Sequence, residues 1–157
     1  QYQVTLAYNG SLTFSDIPSV IDFGSHPISP KNKSYTGKLN RSLKVADTRG
    51  KNSLSRWQVT VRESTPIREL RPNKKAESTT SPQLRKDISF ANHLTFNGKV
   101  LNNDDMLIHA TSQPKTGETT LIDKDKLSPL ILSVPIEYQK SLALFRGKIT
   151  WTLLSAP

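Results

Sequence analysis

Apolar and polar residues alternate with a period of two along much of this chain. Tyr2, Val4, Leu6 and Tyr8 fall on one side of an extended segment, with Gln3, Thr5 and Ala7 on the other. Asn9-Gly10 follows, a pair suited to a tight hairpin, and Ser11–Phe14 reads as the return strand. Leu43–Val45, Trp57–Val61 and Ile149–Leu153 alternate in the same way. Leu94–Phe96 runs through Asn97-Gly98 into Lys99–Leu101, a second hairpin signal. Met106–Ala110, Thr119–Ile122 and Leu130–Val134 read as further strands. Helical periodicity is weak. The best candidate is a short turn at Ser64–Leu70, with Pro66 at a first helical position. Ten prolines and seven glycines break the chain too often for long helices. The pattern predicts an all-β fold, an antiparallel β-sandwich or barrel-like sandwich.

The segment Arg62–Asp87 interrupts this pattern. It is polar, basic and broken by prolines, and it predicts a long, mobile excursion between strands. The length of 157 residues suits a single domain over residues 1–157. No apolar run approaches the roughly 18–20 residues that a helix needs to cross a bilayer, so the chain as given is not expected to insert into a membrane. With no cysteine, disulfide scaffolds, cysteine-based zinc sites and thiol chemistry are excluded. The first residue is Gln1, which suggests processing or removal of a leader.

The net charge of +9 is unevenly spread. Residues 1–30 carry −2, residues 31–86 carry +11, and residues 87–157 are neutral. A concentrated positive region attracts polyanions by long-range steering, whether nucleic acid, an anionic membrane or an anionic wall polymer. Nucleic-acid readers interleave aromatics with basic residues for stacking, yet residues 58–86 contain no aromatic. No nucleic-acid partner is therefore expected.

The chemistry-bearing residues do not form a catalytic or metal-binding pattern. His26, His93 and His109 are scattered and lack helical metal-pair spacing. There is no G-x-S-x-G elbow and no glycine-rich phosphate loop. Asn102–Asp105 and Asp123–Asp125 read as turn residues rather than a calcium loop. The thirteen acids give no convincing pair for glycoside hydrolysis. The reading is a non-enzyme with no catalytic residues, no metal and no cofactor.

Both tryptophans share a local grammar. Trp57-Gln58-Val59 and Trp151-Thr152-Leu153 each place the ring and an aliphatic residue on one sheet face. Around them stand Val20-Ile-Asp-Phe-Gly24, Leu43-Lys-Val-Ala-Asp-Thr-Arg-Gly50, Leu130-Ile-Leu-Ser-Val-Pro135 and the terminal Ile149–Pro157. In that order, these blocks resemble the WxL domain family of Gram-positive surface proteins over roughly residues 11–157. Two departures stand out: Val59 replaces the leucine of the first motif, and Phe145 stands where the family often has tyrosine.

The resemblance implies a secreted protein held non-covalently on the cell surface through peptidoglycan, and the basic middle segment favours anionic wall polymers as a further ligand. It also implies partners, namely membrane-anchored proteins with a WxL-interacting region. The alternative reading is accordingly a protein–protein module in a surface complex. The resemblance gives Trp57, Val59, Trp151 and Leu153 as wall-binding motifs, while an all-β core commonly uses such rings for packing. The basic residues around the first motif, Lys44, Arg49, Lys51, Arg56 and Arg62, are the alternative ligand contacts.

Overall fold

The computed structural model describes residues 10–50, 54–70, 88–139 and 143–155. The predicted strand at residues 2–8 and its Asn9-Gly10 turn lie outside this range, apart from Gly10. Twelve strands and one 3₁₀ turn, Ile136–Tyr138, make up the described elements. The strands are β1 (Leu12–Asp16), β2 (Ile21–Asp22), β3 (Lys33–Thr36), β4 (Lys38–Leu39), β5 (Leu43–Asp47) and β6 (Trp57–Leu70). They continue as β7 (Leu94–Phe96), β8 (Lys99–Val100), β9 (Met106–Ala110), β10 (Gly117–Ile122), β11 (Leu130–Val134) and β12 (Leu144–Ser155).

All pairings are antiparallel. The sheets run β1-β5-β10, β3-β11-β7-β8 and β12-β6-β9, with β2-β4 as a small ribbon. None closes into a barrel, so the sandwich alternative holds. The predicted hairpin at Asn97-Gly98 is present. Both residues take positive φ, 49° and 84°, and Phe96 pairs with Lys99 across the turn.

Alternation decides which face is buried. In β5, Leu43, Val45 and Asp47 point inward, while Lys44 and Ala46 are only partly covered. In β6, Trp57, Val59 and Val61 are buried, joined in the core by Leu94, Phe96, Leu130 and Leu132. Sheet β12-β6-β9 faces sheet β3-β11-β7-β8 through one aromatic contact, and the segment before β7 packs on β12 through another. Phe96 meets Trp151 edge-on at 6.4 Å, and Phe90 meets Phe145 edge-on at 5.2 Å. Phe145 is thus a half-buried packing ring.

Two expectations are corrected. Ser64–Leu70 is not a helical turn but the second half of β6. For the same reason the excursion does not begin at Arg62; residues 62–70 are strand, and residues 71–87 lie outside the described range. Pro66 misled the reading because proline has no place in a regular ladder. Here a bulge excuses it. Arg68 pairs with Arg146 and Thr65 with Lys148, so Pro66 and Ile67 together oppose the single residue Gly147. Gly147 is required for this close approach. A Cβ there would lie 2.8 Å from the Ile67 nitrogen and 2.9 Å from its Cα.

Candidate functional site

The two tryptophan motifs lie 94 residues apart but occupy the paired strands β6 and β12. Their register is offset and antiparallel. Trp57 faces Ser155, Val59 faces Leu153, and Val61 faces Trp151. Directly opposed residues share a sheet face, so the six side chains form one ladder, buried at Trp57, Val59 and Val61 and open at Ser155. Val59 therefore does the packing of a leucine against Leu153, and the departure from the motif is absorbed on the same face.

Trp57 is 3% exposed. Its ring lies against His109 of β9 at 5.0 Å, tilted by 35°. Its backbone is clasped by Thr111: the Trp57 N–H donates to Thr111 Oγ1 at 2.9 Å, and the Thr111 N–H donates to the Trp57 carbonyl at 3.0 Å. Trp151 and Leu153 are half-buried against the same core. In this fold Trp57 is a core residue, and Trp151 keeps only part of its surface for contacts outside.

The Asp47-Thr-Arg49 block explains how the ladder is held. Arg49 directs all five of its guanidinium N–H groups into the protein. Nε donates to Asp47 Oδ1 at 2.9 Å, and Nη2 donates to Asp47 Oδ2 and to the Ser55 carbonyl, both at 2.8 Å. Nη1 donates to Ser55 Oγ at 2.8 Å and to Ser155 Oγ at 3.1 Å. Ser55 precedes β6 and Ser155 ends β12, so one guanidinium ties the start of the first motif strand to the end of the second. Asp47 is 1% exposed. The Arg49 hydrogen bond holds its carboxyl below the usual carboxylate range, against the opposing effect of burial. The same bond pushes the guanidinium up.

Of the basic residues named above, Lys44, Arg49, Arg56 and Arg62 lie in the described range. Arg49 is a structural clasp with no N–H left for a ligand. Lys44 lies on β5, 3.9 Å from Glu118. Arg62 lies on β6, donates to Asn103 Oδ1 at 2.9 Å, and stands 4.0 Å from Asp105. Arg56 is exposed, and Lys51 lies outside the described residues. Among the described residues, Lys44, Arg56 and Arg62 share no partner. Asn102 and Asp123 act as turn residues, accepting the backbone N–H groups of Asp104 and Asp125. Among the described residues, no group of three or more His, Asp or Glu gathers into a metal-binding set.

A buried carboxyl extends the ladder. Glu63 continues the inward ladder, opposite Ile149, and is 2% exposed. Its Oε2 has no hydrogen-bond partner. Burial alone pushes its carboxyl up from 4.5 to about 7. Away from the ladder, a depression of about 390 Å³ lies beside the stacked rings of His26 and Tyr35, bordered by Pro27, Ile28, Pro30 and Lys33.

The architecture defines a class: an antiparallel β-sandwich in which two distant tryptophan motifs share one strand pair and brace its core. The particular family follows from comparison with known proteins. Residues 5–157 match the WxL domain, described as surface cell wall-binding, and the chain belongs to that family. This is a cell-wall-binding family rather than an enzyme family, and it implies a location at the cell surface. No curated protein and no solved structure matches the chain. No helix among the described residues is long and apolar enough to cross a membrane.

Proposed function

We propose that this is a non-enzymatic, secreted domain that attaches non-covalently to the Gram-positive wall by binding peptidoglycan. The observation that carries the reading is the WxL match across nearly the whole chain. The burial of Trp57 supports a division of labour within it. The tryptophan ladder builds and stiffens the sandwich, and the ligand is met by surface side chains around it. The chain's charge of +9 supports an electrostatic contribution from anionic wall polymers.

The test is co-sedimentation of the folded full chain with purified sacculi at physiological ionic strength. Wall attachment predicts that the protein pellets with the sacculi. A folded protein that stays in the supernatant overturns it. A salt series separates the modes. Steep release as salt rises identifies contacts to anionic polymer, and salt-resistant binding identifies hydrogen bonds and ring contacts to glycan or peptide.

A second reading rests on the outer face of sheet β12-β6-β9. Leu107 and Leu154 are 56% and 45% exposed. They stand on either side of β6, opposite Thr60 and Gln58. Such a face supports docking of a membrane-anchored partner in a surface complex. Loss of partner binding in Leu107→Ser, with wall sedimentation intact, would separate this role from wall attachment.

A further inference from the structure

Some cations among the described residues stand near acids. Arg41 pairs with Asp16 at 2.8 Å, Lys44 lies 3.9 Å from Glu118, and Arg62 lies 4.0 Å from Asp105. The far end of the β6–β12 ribbon is different. Arg68 and Arg146 oppose each other directly across the two strands, and both are exposed. Lys148, also exposed, lies two residues further along β12. Among the described residues, no carboxylate lies within ion-pair distance of any of the three. Like charges placed directly opposite in a sheet are destabilising, so the arrangement is unfavourable until an anion joins it.

The ribbon holds these side chains on a fixed frame. Ser89 bridges Arg68 from the other side, so Ser89, Arg68 and Arg146 form one row across three segments of chain. The backbone of that row is pinned by the Glu69 N–H to the Ile88 carbonyl at 3.1 Å and the Phe90 N–H to the Ile67 carbonyl at 2.7 Å. Ser64 Oγ donates to the Lys148 carbonyl at 3.2 Å, fixing the adjoining turn of the ribbon. The Pro66–Ile67 bulge against Gly147 lies between the Arg68–Arg146 pair and Lys148, where it increases the local twist. Arg62 continues the outward column: it faces Thr150, four residues of β12 from Arg146, or about 13 Å of strand.

We infer that the outward row Ser89–Arg68–Arg146, with Lys148, binds the phosphodiester groups of an anionic polymer. The inference rests on the wall-attachment reading for the source of that polymer. Two guanidinium forks on opposed strands can bracket one tetrahedral anion, each offering paired N–H donors to its oxygens. The Ser89 hydroxyl adds a further donor beside them. A single phosphodiester carries one charge and leaves the remaining cations unbalanced. A chain of them running along the ribbon reaches Lys148 and Arg62 as well.

The experiment measures binding of the full chain to poly(glycerol phosphate) by titration. It compares the wild type, Arg68→Gln/Arg146→Gln, and a control of equal charge, Lys99→Gln/Lys115→Gln, at two exposed lysines elsewhere. The arginine variant is expected to lose at least about tenfold in affinity and to show a shallower salt dependence, while the control binds within about twofold of wild type. Equal losses in the two variants would overturn the site, since only net charge would then matter. So would equal binding of wild type to polyglutamate, or binding confined to phosphatidylglycerol vesicles beside the exposed Leu70 and Leu144. Sedimentation with sacculi stripped of phosphate polymer tests the broader reading separately. Pelleting there, together with no effect of the arginine variant on polymer binding, refutes this site while leaving peptidoglycan attachment standing.

Discussion

Neutralising Glu63 should stabilise the domain, and only above mildly acidic pH. The carboxyl sits at 2% exposure on the motif ladder, between Val61 on its own strand and Ile149 across the pair. Its Oε2 has no partner, and burial raises its pKa from 4.5 to about 7. The folded state therefore holds this proton more tightly than the unfolded chain. Below about pH 4.5 the acid is neutral in both states and costs nothing. As pH rises through the interval to about 7, the folded state must either keep the proton or bury a charge, and stability falls. A tenfold change in proton affinity corresponds to about 1.4 kcal/mol, so the displacement from 4.5 to about 7 sets a ceiling of about 3 kcal/mol on the loss. Glu63→Gln keeps the shape of the neutral acid and removes the ionisation. Urea unfolding at a series of pH values is the assay. Near pH 4.5 the two proteins should have similar stability, and near pH 8 the variant should exceed wild type by up to about 3 kcal/mol. Parallel curves across the whole range would refute the claim that Glu63 is buried without a partner.

Other outcomes follow from the same contacts. Arg49→Gln leaves the Asp47 carboxylate buried without its guanidinium and unties Ser55 from Ser155, so it should cost about 3 kcal/mol in urea unfolding; a loss below about 1 kcal/mol would show that the clasp is only a surface pair. Because Arg49 holds the Asp47 pKa down, this contribution is present above the ordinary carboxylate range. It should disappear as pH falls through the depressed value, the reverse of the Glu63 dependence. Gly147→Ala places a methyl group against Ile67 backbone atoms and should lower the melting temperature, whereas an unchanged melting temperature would mean that the bulge tolerates a side chain.

Much of the strand content was legible because period-two alternation is a direct imprint of a sheet with one face buried. Met106–Ala110 and Leu130–Val134 appear as β9 and β11 with the boundaries that alternation implies. The Asn97-Gly98 turn was legible because few other residues tolerate two successive positive φ angles. Short polar strands were not. Lys33-Ser-Tyr-Thr36 has almost no apolar signature, and it becomes a strand because its edge pairs with β11. Ser64–Leu70 was misread because a local proline signal competed with a tertiary one. The bulge against Gly147 that admits Pro66 exists only when β12 is alongside.

The candidate site was legible in kind but not in detail. The two tryptophan motifs stood out by their shared spacing, yet nothing local says that they would lie on adjacent strands. Arg49 looked like a free phosphate fork because two of its partners, Ser55 and Ser155, lie at the start of one motif strand and the end of the other, which only the strand register brings together. Arg68 and Arg146 are 78 residues apart, so their opposition could be seen only once the register was known. Glu63 continues the odd-numbered positions of the ladder after Val61, and that spacing was the one available sign that it would be buried.

On the proposed reading the domain attaches to the wall, and Trp57 serves this through the fold rather than by touching the ligand. Trp57→Phe tests it most directly, since phenylalanine keeps an aromatic ring against His109 while removing the indole. Binding to purified sacculi should be measured per folded molecule, with the folded fraction taken from circular dichroism and urea unfolding. Trp57→Phe should be less stable and should bind the wall as wild type does. A fully folded Trp57→Phe that no longer pellets with sacculi would contradict it.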